Sequence, residues 1–450
     1  MKRLITSVII IIFISSLTTS AQPPGFTVML GENMNYVVDM IQTSSGTFII
    51  AGTTTVQDQV FITEISAEGE LLWSKFFDGK MLWYSDILQT SNGNILIPMS
   101  RSDAFLLEIN HLGDSVSSLS INEPQRAYFE SVIEMPGSTY FASEILYSDD
   151  PFFYAADSCI FVKLSSDLSI IDKYPSQLSD IKDLIVYLLN EFYALGEDYD
   201  HHSVNSLLLK MSSEGQVLSS SSCASLDPYL HNISRLNSSA FISAGYCDGD
   251  DRSMQAVLSI YDIDGQTSIC NEYPGSYFMS LTKDESSEII YALGDTNDSC
   301  AITAINHSGN IISNFIVDDS LEGNTIIFDN NYLYIAGVYD YFTSPRACLV
   351  KIHKDAMLSL NEDQDNSFLK VYPNPAMSYF IAEYAVQTTL VGSLELMISD
   401  ISGSVLQKII LPGNSGHKII STKELKPGLY LCKFVVDGKE KQTIKLSVIK

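Results

Sequence analysis

The sequence predicts an all-β fold, and three observations carry that expectation. A strand ending in Ala-Gly or its equivalent recurs seven times, and a second apolar strand follows each copy at a regular distance. No long stretch keeps the 3.6-residue apolar period of an amphipathic helix.

The first of these strands reads FIIAG ending at Gly52, FYALG at Gly196, FISAG at Gly245, IYALG at Gly294 and LYIAG at Gly337. Degenerate copies are ILIPM ending at Met99 and YFASE ending at Glu144, so successive copies lie 47, 45, 52, 49, 49 and 43 residues apart. The second strands end at Ile65, Ile109, Leu164, Met211, Tyr261, Ile305 and Ile352. Four residues after five of them comes a glycine: Gly69, Gly113, Gly215, Gly265 and Gly309. A glycine there suits a tight hairpin that needs a positive φ before the next strand. Each unit also opens with a strand, such as YVVDMIQT from Tyr36 or YSDILQT from Tyr84. Four short strands every forty-odd residues, seven times over, predict a seven-bladed β-propeller across residues 22–362. The alternative, an array of β-sandwiches, would seldom repeat one hairpin signature seven times.

The ring has to close. Residues 29–46 align with 76–93 at an offset of 47, so the segment before Tyr36 corresponds to the fourth strand of a unit that has no predecessor. The last unit runs out soon after Ile352. Phe26–Leu30 is therefore expected beside the last blade as its outer strand, covering an edge that would otherwise invite aggregation.

Before this body, Lys2 and Arg3, the apolar run around Val8–Ile14 and Thr19-Ser20-Ala21 read as a signal peptide over residues 1–21. The apolar run is shorter than the roughly 20 residues a bilayer needs, and no later segment is apolar enough to span. The chain carries a formal charge of −28, unevenly distributed. Residues 22–365 hold 14 bases against 48 acids, a balance of −34, whereas residues 366–450 hold ten lysines against six acids. Such a body repels nucleic-acid phosphates and anionic lipid and favours solubility outside the cell. Of seven cysteines, Cys432 alternates with Tyr430, Phe434 and Val436 on one strand face and reads as a buried apolar residue. The other six allow fifteen pairings, among which the sequence does not choose.

In a four-stranded blade the loops between the second and third strands share a face with the loops between blades. Those loops combine acids with tyrosines, and the third, fourth and seventh supply Tyr154, Asp198, Tyr199 and Tyr341 as candidate ligand contacts. Asp248 and Asp250, in the loop YCDGDDRSMQ, are added as the better place for a calcium ion; Asp262–Gly265 is read as a hairpin turn. No other cofactor is expected. Trp73 and Trp83, like most single aromatics on such strands, are read as packing between blades. Patterns for nucleophilic serine, metalloprotease or nucleotide chemistry are absent, and Ser66–Trp73 fails the sialidase box at its Asp and at its Gly spacing. The favoured reading is non-enzymatic binding or adhesion to an extracellular glycan or protein. The alternative is a secreted polysaccharide or peptide hydrolase, with no catalytic residue assigned.

The end of the chain, residues 368–450 after a polar linker at 363–367, forms seven alternating strands that suit a small immunoglobulin-like β-sandwich. It contains Tyr372-Pro373-Asn374-Pro375, an Asp-x-x-Gly hairpin at Asp400–Gly403, and a Leu-x-x-Gly-x-Tyr strand with Gly428 and Tyr430. It closes on an alternating basic strand with Lys445 and Lys450. In that order and position these residues resemble the C-terminal sorting domain of type IX secretion substrates. The blades, more weakly, resemble the degenerate repeats of secreted bacterial propellers. The first resemblance implies the type IX machinery as partner, passage through the periplasm, and arrival at the cell surface or in the medium, often with removal of the domain.

Overall fold

The backbone of the first part is built from hairpins whose turns the sequence dictates. After the third strand of a sheet the chain reverses through Ser66–Glu70, where Ser66 N–H donates to Glu70 O (2.9 Å) and Gly69 N–H to Ser66 O (3.0 Å). Gly69 has φ 90°, and Gly113, Gly215 and Gly309 repeat it at 76°, 71° and 76°, a region costly for any residue with a Cβ. The computed structural model describes residues 25–448 apart from 32, 56–57, 102, 124–125, 148–155, 189, 201–202, 223–227, 249–253, 265, 275, 297–298, 319, 355–366, 373, 375, 377, 387–393, 401–403, 412–414 and 437. The expected signal peptide, Tyr154, Asp250, Gly265, Pro373, Pro375, Gly403, Lys450 and all of the expected linker but Ser367 lie outside the described residues.

Among them, seven four-stranded antiparallel sheets follow one another. Strand β1 is Phe26–Met29. Sheet 1 is β2–β5 (36–78), sheet 2 β6–β9 (88–121), sheet 3 β10–β13 (126–175) and sheet 4 β14–β17 (180–222). Sheet 5 is β18–β21 (229–274), sheet 6 β22–β25 (276–318), and sheet 7 joins β26–β28 (321–353) to β1. The closing strand pairs as expected: Phe26 lies opposite Lys351 and Met29 opposite Cys348.

First strands of neighbouring sheets lie against one another: β10 on β14, β14 on β18, β18 on β22, β22 on β26, and β26 on β2, so the row returns to its start. An apolar cluster fills each junction between consecutive sheets. The last one joins sheet 7 to sheet 1 through Tyr334, Leu349, Phe48 and Phe61. Each fully buried aromatic ring there contributes roughly 2–3 kcal/mol, which is why the repeat places Phe or Tyr ahead of its Ala-Gly. The junctions also hold the buried cysteines Cys159, Cys247, Cys300 and Cys348, while Cys270 is disulfide-bonded. No helix among the described residues is long and apolar enough to cross a membrane.

The chain divides into two compact units, Met1–Leu358 and Ser359–Lys450. The second unit holds seven strands, β29–β35, in a three-stranded sheet (β29-β30-β33) and a four-stranded sheet (β32-β31-β34-β35). One core lies between the two sheets, with Leu369, Phe380 and Tyr384 from the first and Leu396, Tyr430, Cys432, Phe434 and Leu446 from the second. Cys432 is fully buried, as its alternation predicts. Tyr430 Oη donates to Lys426 O (2.7 Å), and Lys445 pairs with Leu431 in the ladder. Asn374 spans the gap to the last strand, β35 (Lys439–Val448). Its Oδ1 accepts from Ser447 N–H (2.9 Å) and its Nδ2 donates to Lys445 O (2.8 Å).

Candidate functional site

The repeated glycine of each second strand sets up the axis of the sheet ring. A Cβ on Gly52 would meet Tyr36 O at 2.0 Å, and the same clash recurs at Gly196 with Asp180 O (2.2 Å) and Gly245 with Tyr229 O (1.8 Å). It recurs again at Gly294 with Tyr277 O (1.7 Å) and Gly337 with Glu322 O (2.3 Å). Opposite each glycine the first strand carries a β-bulge, one extra residue in the ladder: Val38, Lys182, His231, Met279 and Asn324. Sheet 3 has Glu144 in place of the glycine and bulges at Glu130-Ser131. A bulge re-aims side chains. Val38, His231, Met279 and Asn324 line one small axial void together with the residues that follow them, Asp39, Asn232, Ser280 and Thr325.

Those following residues tie the sheets together. Asp39 Oδ2 accepts from Ile87 N–H (2.8 Å), Asp183 Oδ2 from Ile233 N–H (2.7 Å) and Ser280 Oγ from Ile326 N–H (3.3 Å). Each bond reaches from one first strand to the next sheet, forming a polar belt. Burial pushes the carboxyls of Asp39 and Asp183 up to about 7. Asp86 is held well above the carboxylate range by burial and then by the charges of Asp183 and Asp39.

Beside the belt lies a buried charged cluster. Lys182 Nζ is 2.5 Å from Asp180 Oδ2 and 3.8 Å from Glu197 Oε2, and it sits 4.6 Å over the Tyr84 ring. Tyr84 in turn stacks on His231 at 4.3 Å and 5°. Burial, then the Lys182 charge, pulls His231 down to about 3, so its imidazole stays neutral. Burial and the neighbouring Asp180 raise Glu130. Among the described residues neither nitrogen of His231 has a hydrogen-bond partner, nor do Asp86 Oδ2 and Glu130 Oε2. The axial void measures about 40 Å³, room for two or three waters and too small for a sugar ring. Burial is the first cause of the raised carboxyls; Asp39 and Asp183 bond to backbone, and the space that Asp39 and Asp86 line is this small void.

Open space lies at the end where second strands pass to third strands, the face the loop argument singled out. There Tyr36 packs edge-on against Trp83 (5.7 Å) and Tyr341 (5.3 Å), and Tyr341 against Phe342 (5.1 Å). Trp83 is 49 % and Phe342 94 % exposed; Trp83 packs on Tyr36 and Tyr341 while about half its surface stays open. Trp73 does pack between sheets, its Nε1 donating to Glu64 Oε2 (2.5 Å) and His111 O (3.2 Å). A cavity of about 250 Å³ is lined by Tyr36, Trp83, Met81, Asp58 and Lys80. A second, of about 550 Å³, shares Asp58 and Lys80 with it and continues to Arg101, Arg126 and Tyr128.

Of the sequence candidates, Tyr341 belongs to this aromatic group. Asp198, half-buried, pairs with Asn205 on β15 (Glu191–Asp200), where Tyr199 pairs with Val204. Asp248 ends β19 (Ala240–Asp248) opposite Met254. Asp262 forms the expected turn, its Oδ1 accepting from Asp264 and Gln266 N–H (2.9 and 2.8 Å). Sequence reasoning missed Tyr36, Trp83, Lys80, Arg101 and Arg126. The available signal was the rarity of arginine, six in the whole chain, against a strongly acidic body.

Residues 370–450 match the secretion system C-terminal sorting domain. The sorting domain implies export by the type IX system and an extracellular or surface location. The first unit has a β-propeller fold by its similarity to solved structures. Kuenenia stuttgartiensis hydrazine synthase is 8 % identical, with 71 % of this chain and 96 % of that one covered and a TM-score of 0.53. The WD40 β-propeller domain of Doa1 is 10 % identical, with 74 % and 97 % covered and a TM-score of 0.51. At such identities the likeness extends to the fold alone. No curated protein sequence matches the chain.

Proposed function

We propose that this secreted propeller protein is a non-enzymatic binding or adhesion module. In this reading each of its seven sheets is one blade, and its ligand docks on the face bearing Trp83, Tyr36 and Tyr341. The observation that carries the reading is the contrast between two parts of one molecule. Asp39 and Asp183, whose proton affinity burial displaces, bond to backbone, whereas the exposed Trp83 and its neighbour Tyr36 line an open cavity on a stiff scaffold. General acid–base catalysis needs the reverse, a displaced carboxyl within reach of substrate. The signal peptide and sorting domain would bring the chain through the periplasm to the outside. There it is either released or held at the surface, and the tail is an immunoglobulin-like carrier rather than part of the binding face.

The test is a glycan and protein array probed with the purified full chain, with and without calcium, beside a broad hydrolase screen. Specific capture that weakens in Trp83→Ala and Tyr341→Ala is expected. Turnover at enzyme-like rates that one carboxylate substitution abolishes would overturn the proposal and favour the hydrolase reading.

A further inference from the structure

The two adjoining cavities differ in chemistry along their length. One end is aromatic, with Tyr36 and the half-exposed Trp83. The other collects Lys80, Arg101 and Arg126 beside Asp58 and Asp78, three cations against two acids in a body whose balance is −34. Lys80 is already paired, its Nζ 3.0 Å from Asp58 Oδ1. The two arginines are held in place without being neutralised. Arg101 Nε donates to Asp78 O (2.9 Å), and its guanidinium lies 4.0 Å over the Phe105 ring. Arg126 donates through Nη2 to Tyr128 Oη and lies over that ring. Neither guanidinium has a carboxylate partner among the described residues. Both come from different elements, Arg101 from the end of β7 (Ile95–Ser100) and Arg126 from the start of β10 (Arg126–Met135), yet they line the same space.

Two preordered guanidinium forks in one cleft match the planar, bidentate geometry of carboxylate or sulfate. An indole and a phenol at the far end match the apolar face of a sugar ring. We infer that this groove takes an acidic saccharide, with the aromatic end stacking on a ring and Arg101 and Arg126 gripping its carboxylate or sulfate. The inference rests on the binding reading above and names its ligand class. The volume of about 550 Å³ at the cationic end holds a disaccharide-sized ligand and excludes nothing larger that stays in the groove.

The probes are an oligogalacturonide of three sugars, a sulfated galactan oligosaccharide of the same length and the neutral galactose trisaccharide, titrated calorimetrically into the full chain. The expected result is binding of at least one acidic probe tenfold or more tighter than the neutral one; which probe wins assigns carboxylate or sulfate. Arg101→Ala with Arg126→Ala should cost the acidic probe thirtyfold or more and leave the neutral probe unchanged, while Trp83→Ala should weaken both. Both arginines are exposed, so unchanged urea unfolding is expected and checks that the double variant folds. Equal affinity for neutral and acidic probes, or acidic binding that survives the double variant, overturns the acidic-sugar assignment and leaves the binding proposal standing. No affinity for any of the three probes overturns the assignment, and the array then decides the parent reading separately.

Discussion

Replacing Asp86 by asparagine removes a proton-binding group from the axial belt while keeping its shape. In the folded chain burial keeps Asp39 and Asp183 protonated up to about pH 7, and burial with the neighbouring carboxylates raises Asp86 well above the carboxylate range. Unfolded, all three release their protons near pH 4. Between pH 4 and 7 the folded state therefore carries more protons, and stability falls as pH rises through that window. A shift of about three units corresponds to roughly 4 kcal/mol for one isolated group, an upper figure because neighbouring carboxyls share the burden. Asp86→Asn removes one member and the repulsion it exerts on Asp39 and Asp183. The variant should match the wild type within about 0.5 kcal/mol at about pH 3.5, below the unfolded carboxylate range, and exceed it by about 1–3 kcal/mol at pH 8. Urea unfolding followed by tryptophan fluorescence reads this cleanly, because Trp73 and Trp83 both lie in the first unit. A wild type equally stable at pH 5 and pH 8, or a variant weakened by more than about 1 kcal/mol at pH 8, would refute the reasoning.

Three further outcomes are expected. Leu30→Ala, which empties a position 3 % exposed in the cluster joining sheets 7 and 1, should cost about 2–4 kcal/mol by urea unfolding, while Met29→Ala, 41 % exposed, costs under about 1 kcal/mol. Asn374→Ala leaves Ser447 N–H and Lys445 O without their side-chain partner; cell fractionation should find the precursor retained in the periplasm, and normal export would count against the motif's role. Mass spectrometry of the exported protein should show Gln22 at the N-terminus and, where the sorting domain is removed, no peptides beyond about Ser367.

Much of the fold was legible because the repeat writes its geometry into glycine. Gly69 and its equivalents mark hairpins by the need for positive φ, and the offset of 47 residues places β1 beside the last blade, where it pairs with β28 (Arg346–His353). The Ala-Gly glycines were legible as a period but not as a cause. Their function is to admit the first strand's backbone at the bulge, a contact between segments that no single strand's alternation records. The site was less legible for the same reason. Tyr341 was found because its loop is acidic and tyrosine-rich. Arg101 and Arg126 stand 25 positions apart on sheets 2 and 3, and only the ring's curvature brings them to one cleft. The buried carboxyls looked like a solvated surface from composition, since an acidic body hides which few acids turn inward.

The pairing of β1 with β28 makes completion of the ring a property of the whole first unit. Phe26 meets Lys351 only after every intervening sheet exists, and closing so long a loop in an unstructured chain costs about 5 kcal/mol. The clasp is therefore expected to form last, once stacked sheets have brought the two ends near each other, which long-range pairing of this kind makes slow. A chain cut or stalled before Arg346 keeps its hairpins but has no partner for its first strand and an open edge on its last. Secretion of an intact ring thus carries its own check on chain completeness: a fragment shows itself by an unpaired strand at each end, which is the surface that chaperones and proteases recognise.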